Sequence, residues 1–116
     1  MSWLERTELL VQQEGLEKLK KANILVVGLG GVGSYAAEFI ARAGVGKMTI
    51  VDGDVFDETN KNRQLLALDS TIGKSKARVL AERLKDINKE LVLTVIEEFL
   101  SPDSAYNIVS KEFDYV

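Results

Sequence analysis

Apolar residues in this chain alternate between two rhythms. Asn23-Ile24-Leu25-Val26-Val27, Lys47-Met48-Thr49-Ile50-Val51-Asp52 and Leu91 to Ile96 are short, β-rich runs, and each predicts a strand. The first is apolar up to Gly28 and reads as buried on both faces. Between the runs the spacing becomes helical. Ser34 to Ala43 turns Ala36, Ala37, Ile40 and Ala41 inward, with Gly44 as a C-terminal stop. Gly73 precedes a helix to about Asn88, with Leu80, Leu84, Ile87 and Leu91 in line. Glu5 to Lys21 carries Leu9, Leu10, Leu16 and Leu19, which predicts an amphipathic helix laid against the domain and broken near Gly15. Asp54 to Glu58 reads as an acidic loop, and Asn60 to Leu68 as a short helix or turn. Pro102 opens a helix to about Ser110, and Phe113-Asp114-Tyr115-Val116 reads as the start of a fourth strand.

Strand and helix alternate throughout, which predicts an α/β fold: a doubly wound, Rossmann-like, mostly parallel sheet with flanking helices. The 116 residues suffice for one core but not comfortably for two. A chain ending inside a buried strand reads either as closing on a short edge strand or, as expected here, as the N-terminal part of a larger domain cut at its C-terminal end.

Composition narrows the chemistry. With no Cys and no His, the chain has no disulfide, no thiolate nucleophile, no histidine base and no zinc site built from either residue. What remains is chemistry run by carboxylates, Lys, Arg, backbone amides and a bound cofactor. No apolar run approaches a membrane span and the first residues are not a signal peptide, so a cytoplasmic location is expected. A net charge of −3 argues against a nucleic-acid footprint over the whole surface. The long helix carries a mild basic excess, Lys74, Lys76, Arg78, Arg83, Lys85 and Lys89 against Glu82, Asp86 and Glu90, which reads as a solvated face.

Gly28-Leu29-Gly30-Gly31-Val32-Gly33 fits G-x-G-x-x-G between a strand and a helix. Gly28 permits the tight turn, Gly30 lets the backbone approach a phosphate, and Gly33 lets the helix pack closely on the strand. Phosphate then sits on the helix amino end, where free N–H groups and the dipole favour an anion. Asp52 follows Gly33 by 19 residues, close to the spacing of an acid that binds a ribose hydroxyl. A nicotinamide dinucleotide would satisfy these features too, as would a non-catalytic nucleotide-binding role.

The residues after Asp52 favour a triphosphate. Counting back from Leu80 puts Lys76 on the buried stripe at the amino end of its helix, where a cation opposes the dipole and faces the interior. Such a violation of local rules is expected where an anion offsets it. Arg63 reads either as a surface turn cap or as a second phosphate cation. Lys74 reads as solvated.

Together, Gly28-Leu29-Gly30-Gly31-Val32-Gly33-Ser34, Asp52-Gly53-Asp54, Asn60-Lys61-Asn62-Arg63-Gln64 and Gly73-Lys74-Ser75-Lys76 resemble the adenylation domain of the ubiquitin-activating-type superfamily (ThiF/MoeB/HesA). The likeness runs from about Thr7 to Val116. Thr59 to Gln64, Arg42-Ala43-Gly44-Val45-Gly46 and Ser101-Pro102-Asp103 are most similar to the tRNA threonylcarbamoyladenosine dehydratase branch. The resemblance implies ATP-dependent adenylation of a carboxylate on a modified adenosine in tRNA, followed by cyclisation with loss of water. The alternative acceptor is the C-terminal Gly of a ubiquitin-like sulfur carrier. It implies that Gly28, Gly30, Gly31, Gly33, Asp52 and Asp54 belong to the ATP site, with Asp52 on the ribose. Asn60, Arg63, Gln64 and Lys76 would contact the phosphates, with Arg63 and Lys76 as the catalytic pair on the α-phosphate. Arg6 is the candidate for an arginine reaching a neighbouring subunit's site. A Mg²⁺-binding aspartate is expected beyond Val116, so the 116 residues alone are expected to be inactive. A homodimer is also implied, with Val45, Met48 and the amino-terminal helix as candidate contacts.

Overall fold

A computed structural model of the chain describes residues 2–109 and 113–116. Its elements are α1 (Glu5–Lys21), β1 (Asn23–Val27), α2 (Gly31–Arg42), β2 (Lys47–Val51), a 3-10 turn (Glu58–Asn62), α3 (Lys76–Ile87), β3 (Val92–Ile96) and α4 (Pro102–Val109). The three strands pair in parallel in the order β1-β2-β3, with Asn23, Lys47 and Val92 in register at one end and Val27, Val51 and Ile96 at the other. On the free side of β1, Tyr115 forms a parallel bridge to Ile24 and its carbonyl accepts the Leu25 N–H at 3.0 Å. The spatial order is therefore β3-β2-β1 followed by the Tyr115 segment. The chain works outward from β1 and then returns to its opposite side. That reversal makes the carboxyl end of β1 the switch point at which α/β sheets bind ligands.

Helices α2 and α3 cover one face of the sheet and α4 the other. Leu29, Ala37, Ala41, Met48, Ile50, Leu80, Leu84 and Leu91 form the larger core, and Ile108 packs with Leu25 and Val51 in the smaller one. Each such leucine removed from water contributes about 2 kcal/mol. The buried Asn88 side chain donates to the carbonyls of Ala41 and Val45, both at 3.2 Å, and so ties the carboxyl end of α3 to the turn after α2.

Several expectations are corrected. α1 breaks at Gln12 (φ 64°, ψ 177°) rather than near Gly15. A Cβ on Gly15 would lie 2.6 Å from Val11 Cβ, so Gly15 accommodates the folded-back turn instead of making the break. Ahead of the kink α1 stands off the body: Leu9 and Leu10 are exposed, and the helix buries only Leu16. β1 is not buried on both faces, since Val27 is exposed where only a short helix covers that side. Val45 and Met48, candidates for a dimer contact, are buried at 3% and 1% exposure, because they lie beneath Asn88 and in the central strand. α2 starts at Gly31, before Ser34, because the Gly30 carbonyl accepts both the N–H and the hydroxyl of Ser34. β3 starts at Val92, one residue after the expected Leu91, which is buried in the turn leading into it. Ser110, the expected end of α4, lies outside the described residues.

Candidate nucleotide site

The carboxyl ends of β1 and β2 carry the glycine turn and the acidic loop side by side. Gly28 takes φ 84°, a conformation that favours glycine, while its N–H donates to the Val51 carbonyl at 2.9 Å. A Cβ on Gly33 would fall 1.7 Å from the Gly28 carbonyl oxygen, so the first turn of α2 lies directly on the strand end. Gly30 and Gly31 face the loop that holds Arg63 and Gln64; Cβ atoms built there would sit 3.6 Å from Gln64 Nε2 and 3.8 Å from Arg63 Cγ.

Asp52 braces this arrangement. One carboxylate oxygen accepts the Leu29 N–H at 2.7 Å and the other the Asp54 N–H at 2.8 Å. The acid therefore joins the glycine turn to its own loop. An ionised carboxylate has about four lone-pair sites, so two bonds leave it capacity to accept from hydroxyl groups of a ligand.

Lys76 is buried, as its position on the Leu80 stripe predicts. Its ammonium lies 3.6 Å from Asp54 Oδ2 and 5.9 Å from the centre of the Phe56 ring, and its N–H donates to the Asp54 carbonyl at 3.1 Å. Cation–π attraction and one half-exposed carboxylate replace part of the hydration lost on burial. Lys74 is exposed, as expected. Arg63 is exposed too, and its guanidinium folds back on its own turn, donating to Asn62 Oδ1 at 2.8 Å and to the Thr59 carbonyl at 3.3 Å.

Asn60 and Gln64 are both buried. Asn60 Oδ1 accepts the Asp57 N–H at 2.9 Å and closes a capping box on the 3-10 turn. The Thr59 hydroxyl and amide on Asp57 hold its carboxyl below the usual carboxylate range. Gln64 Oε1 is buried with no hydrogen-bond partner, an unmet acceptor beside the glycine turn.

The structure thus gathers Gly28, Gly30, Gly31, Gly33, Asp52, Arg63 and Gln64 around one turn, and links Asp54 and Lys76 to them through Asp52. Asn60 instead holds the 3-10 turn that carries Arg63 and Gln64, its carbonyl accepting both of their N–H groups. Gly53 carries a constraint that sequence reasoning passed over: a Cβ there would lie 2.5 Å from the Phe99 backbone nitrogen. Its one signal is a glycine between two aspartates. Among the described residues no group of three or more His, Cys, Asp or Glu side chains is placed to hold a metal, and both Asp52 and Asp54 are already bonded. Two clefts of about 430 and 440 Å³ are lined by residues other than those of this turn.

A parallel sheet reversing at β1, with a glycine turn laid on the amino end of α2, defines a Rossmann-like α/β protein. The chain belongs to the ThiF family, whose sequence model matches residues 4–116. It is 43% identical over 107 residues to tRNA threonylcarbamoyladenosine dehydratase of Haemophilus influenzae, covering 92% of this chain and 41% of that protein. It is 38% identical over 97 residues to molybdopterin-synthase adenylyltransferase of Salmonella typhimurium, covering 84% of this chain and 39% of that one. The crystal structure of the Escherichia coli dehydratase TcdA in complex with ATP superposes with a TM-score of 0.89 at 42% identity, over 93% of this chain and 44% of that chain. The chain therefore spans less than half the length of these relatives. No helix among the described residues is long and apolar enough to cross a membrane.

Proposed function

We propose that this chain is the ATP-binding part of an adenylating enzyme that activates the threonylcarbamoyl carboxylate of a modified adenosine in tRNA. The observation that carries this reading is the buried Lys76 ammonium, held by Asp54 and Phe56 and linked through Asp52 to the glycine turn at the switch point. Likeness to a dehydratase with ATP bound supports it.

The amides of the glycine turn and the amino end of α2 receive the phosphates. Asp52 accepts from the ribose, and Gln64 borders the phosphates from the neighbouring loop. As a carboxylate oxygen attacks the α-phosphorus, the bond to the β-phosphate oxygen breaks and pyrophosphate leaves with the growing charge. Arg63, swung out from Asn62, and Lys76, exchanging Asp54 for phosphate, stabilise that charge. Cyclisation then expels AMP, which carries away the carboxylate oxygen lost overall as water. The same reading takes the protein as a cytoplasmic homodimer, for which exposed Leu9 and Leu10 on α1 and Val32 and Phe39 on α2 supply apolar surface.

A second acceptor, the C-terminal Gly of a sulfur-carrier protein, is favoured by likeness to the molybdopterin-synthase enzyme. Pyrophosphate exchange into ATP, assayed in a protein of the relatives' length carrying this chain, separates the two. Modified tRNA is expected to drive it, and exchange driven instead by a protein ending in Gly-Gly would overturn the tRNA assignment. Arg63→Ala and Lys76→Met should each lower exchange at least about 100-fold while the unfolding midpoint holds.

A further inference from the structure

We infer that the cleft beside Trp3, at the amino ends of the strands, is a second contact for RNA: the indole stacks on a base and lysines hold the flanking phosphates. The inference rests on the tRNA reading above and places this contact at the end of the sheet opposite the glycine turn.

The cleft, about 440 Å³, is lined by Trp3, Lys20, Lys21, Lys47 and Glu90 and by the turn Gly44-Val45-Gly46. Its walls are tied together by backbone. The Gly46 N–H donates to the Leu19 carbonyl and the Lys47 N–H to the Ala22 carbonyl, both at 3.1 Å, so the end of α1 is bonded to the start of β2. A Cβ on Gly46 would fall 1.8 Å from the Lys20 carbonyl oxygen, so only glycine lets the two segments meet this closely. The turn that carries Trp3 is held as well. The Ser2 hydroxyl accepts the Leu4 N–H at 3.1 Å, and its carbonyl accepts the Glu5 N–H at 3.0 Å. Leu4 is buried, and a Cβ on Gly44 would meet its Cδ1 at 2.9 Å.

Folding accounts for part of this arrangement. Lysines in the last turn of α1 suit the helix dipole, and Leu4 anchors the amino end of the chain. Lys47 opens a strand and has no such reason, and Trp3 is left 55% exposed beside its buried neighbour. Among the described residues none of the three lysines forms an ion pair. Three lysines against one glutamate make the cleft cationic in a chain of net charge −3. A fixed aromatic face among unpaired lysines matches single-stranded RNA, whose bases stack on rings while its phosphates meet cations. An anionic membrane would attract the lysines too, but it needs an apolar face turned outward rather than a ring bordering a cleft. Strands of five residues span about 17 Å, a distance that a short RNA stem bridges, so one RNA can touch both ends of the sheet.

Trp3 is the only tryptophan, so its fluorescence reports on the cleft directly. Titrating the full chain with a short single-stranded RNA should quench that fluorescence, with an affinity that falls as salt rises. Followed by the anisotropy of labelled RNA, Trp3→Ala should weaken binding about tenfold. Trp3→Phe should recover most of that loss, whereas Trp3→Leu, apolar but without a π-face, should not. Lys47→Gln should reduce the salt slope by about 0.7. ATP binding should be unchanged in all these variants. Quenching by anionic vesicles but not by RNA, equal quenching by inorganic polyphosphate, or wild-type RNA affinity in Trp3→Ala would overturn this contact alone. Pyrophosphate exchange driven by a protein ending in Gly-Gly, with no quenching by RNA, would overturn the tRNA reading and this inference together.

Discussion

Gly30 and Gly33 lie three positions apart in one motif, yet the space around them differs. A methyl group at Gly33 would overlap the Gly28 carbonyl at 1.7 Å, against backbone that cannot yield cheaply. A methyl group at Gly30 has only Gln64 Nε2 near it, at 3.6 Å. Gly33→Ala should therefore destabilise the chain by roughly 3 kcal/mol in urea unfolding. Gly30→Ala should cost less stability than Gly33→Ala while losing ATP affinity, because the added methyl group stands where the phosphates approach. The fingerprint names both glycines. It does not reveal that one serves packing and the other leaves room for a ligand.

At the scale of the element, α1 departs most from its sequence pattern. Its apolar spacing implies a buried stripe with a break near Gly15, and the helix instead breaks at Gln12 in a backbone region nearly reserved for glycine. Holding a glutamine there costs about 1–3 kcal/mol, against about 0.5–1 kcal/mol of extra unfolded-state entropy for a glycine. Gln12→Gly should raise stability by about 1 kcal/mol, read from the urea midpoint. The position of the break was not legible, because Gly15 is the better local breaker and only contact with Val11 shows that it yields instead. The strands and α3 were legible to within a residue or so at their edges. Their dense or regularly spaced apolar residues leave one way to bury them, and Ser75 marks the start of α3 by accepting the Arg78 N–H. Lys76 was legible for the same reason, since a cation on a leucine stripe has no exposed alternative.

Over the whole molecule, α2 and α3 are joined by a charged contact as well as by their shared core. Glu38 of α2 bonds Arg83 of α3 and pairs with Arg42 at 3.3 Å, although its own side chain is largely buried. The bond from Arg83 outweighs the opposing effect of burial and, with Arg42, holds the Glu38 carboxyl below its usual 4.5. A carboxyl that is more acidic when folded contributes stability that is complete above about pH 4.5 and is lost as pH falls through the folded value. Glu38→Gln should lower stability by about 1–2 kcal/mol at pH 7. Its unfolding curve should also be flatter than that of wild type below pH 4.5, as followed by circular dichroism. By itself the sequence determined the alternation of strand and helix, the glycine turn and its acid, and the burial of Lys76, because each follows from local spacing and from the cost of hiding charge. Only the tertiary structure decided that Asp52 clamps two loops, that Val45 and Met48 belong to the core, and that Phe99 stands beside Gly53. Those facts depend on which strand ends become neighbours, and the return of the chain to the far side of β1 creates that adjacency between residues distant in sequence.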